Sequence, residues 1–382
     1  MIDGLTAGQR QDAESRGFSR RHFGRLAALI GSAATLPFYN ERAMAQHESL
    51  RGVPADAVMI DSNENPLGPC AEARKAMYKA VDNGGRYMDE ETEVYCETLA
   101  AETGVRPENV MAYPGSSLAI HHAVMSFTSP TRSLVMANPS YESPGRAARF
   151  VGANVVSVPL RKDYSHDVRA MVEQAGANAG LFYICNPNNP TGTVTKREDI
   201  DWLVANKPQG SIVLVDEAYI HLAGVPECTD MVSTDKDVVV LRTFSKIYGM
   251  AGLRAGAAIA RPDLLAKMRN YNAGFLPLTA MVGATASLRV KGLVPERRKV
   301  IEDIRGDVFG FLEKNKFAYV PSMSNKFMVD VKRPGREVIM AMRREKIYIG
   351  RVWPIWPTHV RVTIGTRDEM VKFKSAFLKV MA

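Results

Sequence analysis

The segment SKIYGMAGLRAG at residues 245–256 sets a lysine, Lys246, beside a serine and eight positions before an arginine, Arg254, among glycines. It follows an apolar, strand-like run that ends in Asp216-Glu217-Ala218-Tyr219. Similar short runs alternate with helical segments along the chain, and they are nearly continuous in apolar residues, as expected for strands buried on both faces. The pattern predicts an α/β fold with a mostly parallel sheet, in which ligands bind beyond the carboxyl ends of the strands.

The predicted fold has a large domain at 76–280, a smaller α+β domain at 281–382, and an irregular N-terminal arm at 46–75. The arm is rich in Pro, Asn and Asp from Arg51 to Pro69. Seven strands are predicted for the large sheet: Val110 to Tyr113, Ser133 to Ala137, Val155 to Pro159, Gly180 to Cys185, Ile212 to Val215, Val238 to Leu241 and Ala257 to Ala260. Outside the sheet, helices are predicted at Ala71 to Val81, Glu91 to Thr103, Leu118 to Phe127, Pro295 to Lys314 and Glu337 to Glu345, and strands at Lys326 to Val331 and Val360 to Ile364.

Composition excludes several classes of function. The chain has 382 residues and a net charge of +8, yet no run of five Lys or Arg occurs, so no nucleic-acid partner is predicted. The four cysteines have no CxxC spacing, which argues against a zinc site or a disulfide framework. The adjacent His121 and His122 point to different helix faces, so no metal site is predicted there.

Residues 1–45 have the pattern of an export signal. Ser19-Arg20-Arg21-His22-Phe23 precedes a weakly apolar stretch, and Ala43-Met44-Ala45 supplies small residues for cleavage. The pattern resembles a twin-arginine signal, which implies a periplasmic protein exported already folded. The alternative is a basic extension on a cytoplasmic protein. In neither case is a membrane span predicted for the mature chain.

The lysine, aspartate and arginine of the central motifs fit the chemistry of pyridoxal phosphate (PLP). A lysine can hold an aldehyde cofactor as a Schiff base, a carboxylate can keep the pyridine nitrogen protonated, and an arginine with hydroxyls can hold the phosphate. Lys246, Asp216 and Arg254 supply these three groups.

Four motifs carry a resemblance to a known family: NPNNPTG at 186–192, DEAY at 216–219, residues 245–256, and RVTIGT at 361–366. Together they resemble fold-type I PLP enzymes of the class I/II aminotransferases, and most closely the histidinol-phosphate aminotransferase branch. The resemblance covers nearly all of residues 60–375. It implies a PLP-dependent transaminase that moves an amino group from an amino acid, or a histidinol-phosphate-like amine, to a 2-oxo acid in a ping-pong cycle.

The resemblance also implies a role for each site residue. Lys246 would bind the cofactor and move the proton, Asp216 would pair with the pyridine nitrogen, and Tyr219 and Asn189 would hydrogen-bond the 3′ oxygen. The phosphate would be held by Arg254, Ser245, Thr243, Ser116 and Ser117. Tyr141 would stack on the pyridine ring, and Tyr87 would reach the partner subunit's phosphate across a homodimer interface.

On the substrate side, Arg361 matches the family arginine that binds the substrate carboxylate or phosphate. Arg351 resembles a second substrate arginine, and Asn65 in the arm is predicted to contact substrate. Trp353 and Trp356 either line the pocket or pack in the core, and both interpretations stay open. The predicted leader and Leu67, where the biosynthetic enzymes often have tyrosine, argue against cytoplasmic histidine biosynthesis.

Two alternatives stay open. The first keeps PLP but changes the reaction to decarboxylation, elimination or racemisation, since the motifs do not report which bond is aligned for cleavage. The second is an exported binding protein on an inactive aminotransferase fold.

Overall fold

The computed structural model describes residues 7–19, 53–271 and 274–382. Within the first of these ranges, helix α1 spans Ala7–Ser15. The arginine pair at 20–21 and the cleavage pattern at 43–45 lie outside the described residues, so the predicted leader stays a prediction.

The centre of the fold is a seven-stranded sheet of order β2-β8-β7-β6-β5-β3-β4. Six strands are parallel to one another, and β8 alone runs antiparallel to its neighbours β2 and β7. The predicted α/β fold is confirmed, and every predicted strand forms with bounds within two residues of those expected. The strands are β2 (Val110–Tyr113), β3 (Ser133–Asn138), β4 (Val155–Pro159), β5 (Ala179–Cys185), β6 (Ile212–Asp216), β7 (Val238–Thr243) and β8 (Gly256–Ala260).

Both faces of the sheet are covered, which explains why its strands are almost wholly apolar. Along β5, Phe182 and Ile184 belong to one buried cluster, whereas Leu181 and Tyr183 belong to another. Because successive side chains of a strand point to opposite faces, these clusters are the two cores on either side of the sheet.

Helices cover the sheet on its two faces and build the outer parts of the molecule. None of the helices in the described ranges is long and apolar enough to cross a membrane. After α1 they are α2 (Ala71–Val81), α3 (Asp89–Thr103), α4 (Ser116–Phe127), α5 (Ser143–Phe150), α6 (Val168–Ala175), α7 (Arg197–Asn206), α8 (Ile220–Ala223), α9 (Asp230–Ser233), α10 (Pro262–Arg269), α11 (Leu278–Leu288), α12 (Leu293–Lys314), α13 (Gly335–Arg344) and α14 (Arg367–Met381).

A second, three-stranded sheet of order β12-β10-β9 lies in the C-terminal part, and all its pairings are antiparallel. The predicted strands near 326 and 360 form as β10 (Lys326–Asp330) and β12 (His359–Thr363), and β9 is Ala318–Val320. The last helix, α14, was not predicted. It begins at a capping box in which Thr366 and Glu369 each accept a hydrogen bond from the other's main-chain N–H.

The arm contains one strand that the sequence analysis treated as irregular. Val58–Ile60 forms β1, which pairs in parallel with β11 (Ile347–Ile349). Its three apolar residues are too few to predict a strand among Pro and Asp, and their pairing partner lies far along the chain. The expectation of a wholly irregular arm was therefore wrong. The predicted domain boundary at 280 lies within helix α11, which packs on α2 and α3, and the division into domains stays a prediction.

Candidate active site

The main cavity lies at the carboxyl ends of three neighbouring parallel strands and has a volume of about 470 Å³. The last residues of β5, β6 and β7, which are Cys185, Asp216 and Thr243, all line it. The first residues of α4 close the same side. This is the edge at which ligands bind in parallel α/β sheets, as the sequence predicted.

Polar groups suited to a phosphate meet at one end of the cavity, which we call the phosphate end. The hydroxyl of Thr243 donates to Oγ of Ser245 at 2.9 Å, and Nη1 of Arg254 donates to the same Oγ at 3.3 Å. Ser116 and Ser117 begin α4 and line the cavity beside them. A cation and a helix N-terminus together form a favourable site for an anion.

Gly115 makes this arrangement sterically possible. It precedes α4 with φ 84 and ψ 171, a backbone conformation that glycine adopts readily. A Cβ atom at this position would overlap the guanidinium of Arg254. Gly256 is equally crowded, since a Cβ there would lie 2.8 Å from the carbonyl carbon of Gly115. Glycines at both positions let β8 and the start of α4 approach Arg254.

Asp216 lies buried in the cavity floor, with 3% of its surface exposed. One carboxylate oxygen accepts from the Tyr183 hydroxyl at 2.8 Å, and the other accepts from the main-chain N–H of Ala218 at 3.2 Å. Burial raises the pKa of Asp216, while these hydrogen bonds and the nearby Lys246 and Lys326 act in the opposite direction. Tyr183 was not among the predicted site residues, because a tyrosine within an apolar strand has no distinguishing pattern.

Lys246 and Tyr219 line the next part of the cavity, and Asn63 bonds to both of them. Nζ of Lys246 donates to the main-chain carbonyl of Asn63 at 3.0 Å, and the Asn63 amide donates to the Tyr219 hydroxyl at 3.1 Å. The Lys246 Nζ lies 5.4 Å from the centroid of the Tyr219 ring. Asn63 therefore joins the two predicted catalytic side chains, although it lies in the arm and was not predicted.

Arg361 approaches the cavity from β12 in the C-terminal sheet. It is 0% exposed, its Nη1 donates to Oδ1 of Asn189 at 3.0 Å, and its Nη2 donates to the carbonyl of Asp61 at 2.6 Å. Asn189 lines the cavity. The structure thus brings together Asn189, which is predicted to bind the 3′ oxygen of the cofactor, and Arg361, which is predicted to bind the substrate.

Comparison with known proteins identifies the family. The family model for aminotransferase class I and II matches residues 55–376. The chain belongs to the class I and II aminotransferases. It is 32% identical over 334 residues to a histidinol-phosphate aminotransferase of Moorella thermoacetica, with 86% of each chain covered. It is also 31% identical over 351 residues to histidinol-phosphate aminotransferase 1 of Nitrosococcus oceani, covering 91% of this chain and 94% of that one.

Solved structures of similar proteins support the assignment of the chain to this family. A putative histidinol-phosphate aminotransferase from Erwinia carotovora atroseptica is 29% identical, with a TM-score of 0.82 and coverage of 85% of this chain and 96% of that one. The Sinorhizobium meliloti histidinol-phosphate aminotransferase, solved in complex with pyridoxal-5′-phosphate, shares the fold at 23% identity and a TM-score of 0.81, covering 95% and 98%. The protein is a PLP-dependent transaminase.

The residues of this aminotransferase fit the cofactor. The glycine at 115 leaves space beside Arg254 that any side chain would fill, and the hydroxyls of Thr243 and Ser245 lie in the same place. The buried Asp216 offers a carboxylate in the same cavity, and Tyr141 lines it as well. An anionic phosphate and a cationic ring nitrogen therefore each have a matching group.

Four predicted residues are not among those that line the main cavity: Tyr87, Asn65, Arg351 and Arg361. Tyr87 is 73% exposed and stacks on Phe275, with ring centroids 4.7 Å apart, so within its own subunit it is outside the main cavity. The Asn65 amide donates to the carbonyl of Ile247 at 3.1 Å, and its Oδ1 accepts from the Leu67 N–H. Asn65 therefore supports the backbone next to Lys246 and does not line the main cavity.

The tryptophans are explained by packing. Trp353 is buried with Val320 and Met328, and its Nε1 donates to the carbonyl of Ser140 at 3.1 Å. Trp356 packs partly buried against the same cluster. Neither is among the residues that line the main cavity.

Sequence reasoning missed two buried basic side chains of the aminotransferase site. Lys326 is 0% exposed, its Nζ lies 3.1 Å from the centroid of the Tyr219 ring, and it donates to Oγ of Ser324 at 3.0 Å. His121 lines the cavity and hydrogen-bonds Oγ of Ser143 at 2.7 Å. Burial, with a smaller effect of His122, lowers the pKa of His121 to about 4, so it is neutral at neutral pH. One signal in the sequence, a lysine within an apolar strand, pointed to Lys326. No signal pointed to His121 as a site residue.

Proposed function

We propose that Lys246 is the residue that binds the cofactor and transfers the proton when this transaminase moves an amino group from an amino acid, or a histidinol-phosphate-like amine, to a 2-oxo acid. The observation that carries the proposal is the position of the Lys246 amine, which hydrogen-bonds Asn63 in a cavity with Asp216 in its floor. When bound, PLP supplies an aldehyde that bonds to an amine and a ring that withdraws electrons from the substrate α-carbon.

Lys246 acts as a base only when its amine is neutral. The carbonyl of Asn63 orients the amine, and the neighbouring Tyr219 ring limits where it can move. Once a substrate amine replaces it, Lys246 remains within the cavity and moves a proton between the substrate α-carbon and the reacting carbon of the cofactor.

Asp216 is proposed to keep the ring nitrogen protonated. It is suited to this because two fixed donors, the Tyr183 hydroxyl and the Ala218 N–H, stabilise its ionised form in a buried place. Asn189 and Tyr219 are proposed to bind the 3′ oxygen, and Ser116, Ser117, Thr243, Ser245 and Arg254 the phosphate. Tyr141 is proposed to stack on the ring.

Arg361 is proposed to bind the substrate carboxylate. Its planar guanidinium is oriented by the Asn189 side chain and the Asp61 carbonyl, and such an oriented fork matches a carboxylate. Each half of the ping-pong cycle presents an α-carboxylate, first of the amino acid and then of the 2-oxo acid, so one arginine serves both.

The active form is proposed to be a homodimer in which Tyr87 completes the partner's phosphate site. The exposed, stacked pair of Tyr87 and Phe275 supports this, because large apolar rings are seldom left together in water. A Tyr87→Ala variant that remains dimeric is expected to bind the cofactor more weakly, as measured by titration of the apoenzyme.

The mature enzyme is proposed to work in the periplasm after twin-arginine export. The arginine pair at 20–21 and the small residues at 43–45 support the proposal. Replacing both arginines with lysine is expected to leave folded enzyme in the cytoplasm, as measured by cell fractionation. Equal amounts of the wild-type enzyme and the variant in the periplasm would show that export does not depend on the arginine pair.

The experiment that tests the proposed function is the half-reaction of purified enzyme with a panel of amino donors. Loss of the visible cofactor band and release of a 2-oxo acid are expected, and Lys246→Ala is expected to abolish both. The exposed Lys299, replaced in Lys299→Ala, serves as the control and should behave as wild type. Release of carbon dioxide in place of amino transfer would favour a decarboxylase.

A further inference from the structure

Arg351, the second predicted substrate arginine, is paired with a carboxylate of the protein itself. Its Nη1 and Nη2 donate to the two oxygens of Glu142 at 2.6 and 2.7 Å. Arg351 is 9% exposed, and its guanidinium also stacks on the Trp353 ring at 4.1 Å. This is the paired geometry in which arginine binds carboxylates most strongly.

Arg351 and Arg361 are neighbours in the fold. The main-chain N–H of Arg361 donates to the carbonyl of Arg351 at 3.2 Å, and the Arg361 guanidinium lies 5.5 Å from the same Trp353 ring. The ion pair of Arg351 and Glu142 therefore lies close to the arginine that is proposed to bind the substrate carboxylate.

Glu142 adjoins the main cavity through its chain neighbours, although it is not itself among the residues that line it. Tyr141 lines the cavity, and Ser143 bonds His121, which also lines it. Glu142 keeps 27% of its side chain exposed, so it is accessible to solvent and to a ligand. The residues before and after Glu142 are thus both connected to the cavity lining, Tyr141 directly and Ser143 through His121.

We infer that Glu142 is a specificity-determining residue that selects amino donors whose side chains carry no negative charge. An incoming phosphate or second carboxylate would have to displace Glu142 from Arg351, and would meet its negative charge. The inference rests on the proposed function and narrows its donors: of the two classes named there, amino acids with neutral or cationic side chains are accepted, and histidinol-phosphate-like amines are rejected, as are dicarboxylic amino acids.

The test uses two matched pairs of donors, histidinol with histidinol phosphate and glutamine with glutamate. In wild-type enzyme we expect kcat/KM to favour the uncharged member of each pair by about tenfold or more. Glu142→Gln frees Arg351 and is expected to raise kcat/KM for the charged members by about tenfold, with a change of less than about threefold for the others. Adding Arg351→Gln to this variant should remove the gain.

A control variant and a binding measurement complete the design. Glu345→Gln removes a carboxylate from the exposed pair with Lys379 and should leave every ratio unchanged. Succinate and succinamate, which have no amino group to transfer, measure recognition alone through their dissociation constants for the holoenzyme. We expect wild type to bind succinamate about tenfold more tightly, and Glu142→Gln to bind the two about equally.

The outcomes separate the inference from the proposed function. Equal or better use of the charged donors by wild type, or unchanged ratios in Glu142→Gln, would overturn the role of Glu142. Discrimination between succinamate and succinate by an enzyme that transfers no amino group would uphold that role and overturn the proposed function.

Discussion

At the phosphate end of the cavity, the polar groups come from two short segments, 114–117 and 243–254. At the substrate end, which comprises Arg361 and the groups that orient it, they come from three separate places along the chain. Thr243, Ser245 and Arg254 hold one another through bonds within their own segment. In contrast, Arg361 is oriented by Asp61 and Asn189. The first arrangement follows from local sequence, whereas the second exists only once the two sheets have packed together.

Replacing Gly115 is expected to have the largest effect, and it acts at the phosphate end alone. A Cβ in Gly115→Ala would displace Arg254, so the dissociation constant of the cofactor should rise about several hundredfold, as for loss of charge-assisted hydrogen bonds. Equilibrium titration of the apoenzyme measures this.

Gly176→Ala is the matched control for Gly115→Ala. Gly176 has φ 66 and ψ 171, close to Gly115, but a Cβ added there would have no atom within 4 Å, so it shares the backbone strain without the overlap. It should lose stability and keep its affinity for the cofactor. Equal loss of affinity in both variants would mean that strain, and not the position of Arg254, explains the effect.

Arg361→Lys is expected to have the next largest effect, at the substrate end. The lysine keeps the charge but loses the planar fork, so kcat/KM for amino donors should fall about 30-fold while the cofactor dissociation constant changes by less than about threefold. Steady-state kinetics and apoenzyme titration check the two parts. A matching fall in cofactor affinity would show that the two ends are not independent.

Sequence motifs predicted most of the residues that line the cavity, together with the sheet that carries them. Asp216, Tyr219, Lys246 and Arg254 all line it, and each lies at or after the end of a strand that its apolar run identified. Their roles toward the cofactor stay predictions. Glu142 and Asn63 were not predicted, since each acts through a residue more than 150 positions away. Their roles depend on tertiary contacts that have no local signature.

Lys326 lies beside the Tyr219 ring. Lys326→Met is expected to change the pH dependence of cofactor binding, with an effect smaller than those of the two replacements above. Burial raises the pKa of Asp216, and the positive charges of Lys246 and Lys326 oppose this, together with the hydrogen bond from Tyr183. Removing Lys326 should raise that pKa further, so Asp216 loses its charge at a higher pH. The acid limit of cofactor binding should therefore move up by about half a pH unit.

Ser324→Ala is the control for Lys326→Met, because it removes the lysine's hydrogen-bond partner and keeps its charge. Apoenzyme titrations across a pH series should give Ser324→Ala a limit like that of wild type. If the Lys326→Met limit also matches wild type, the lysine has a packing role only.

The smallest effect on activity is expected for His166→Gln, because His166 is buried and is not among the residues that line the main cavity. Burial lowers the pKa of His166 to about 4, below its value of about 6.5 in an unfolded chain. The unfolded state therefore binds more protons between these values, so the free energy of unfolding should fall as pH drops from 6.5 to 4, by up to about 3 kcal/mol. Denaturant unfolding should show a smaller fall for the variant, and an identical fall would exclude His166 as the cause.

The most direct test of the central claim is to identify which lysine bonds to the cofactor. Two lysine side chains, the half-buried Lys246 and the buried Lys326, lie beside the Tyr219 ring at 5.4 and 3.1 Å. Reduction of the holoenzyme with borohydride fixes the cofactor to its lysine, and mass spectrometry of the peptides locates it. We predict modification at Lys246 alone, and modification at Lys326 would contradict the assignment on which the proposed function rests.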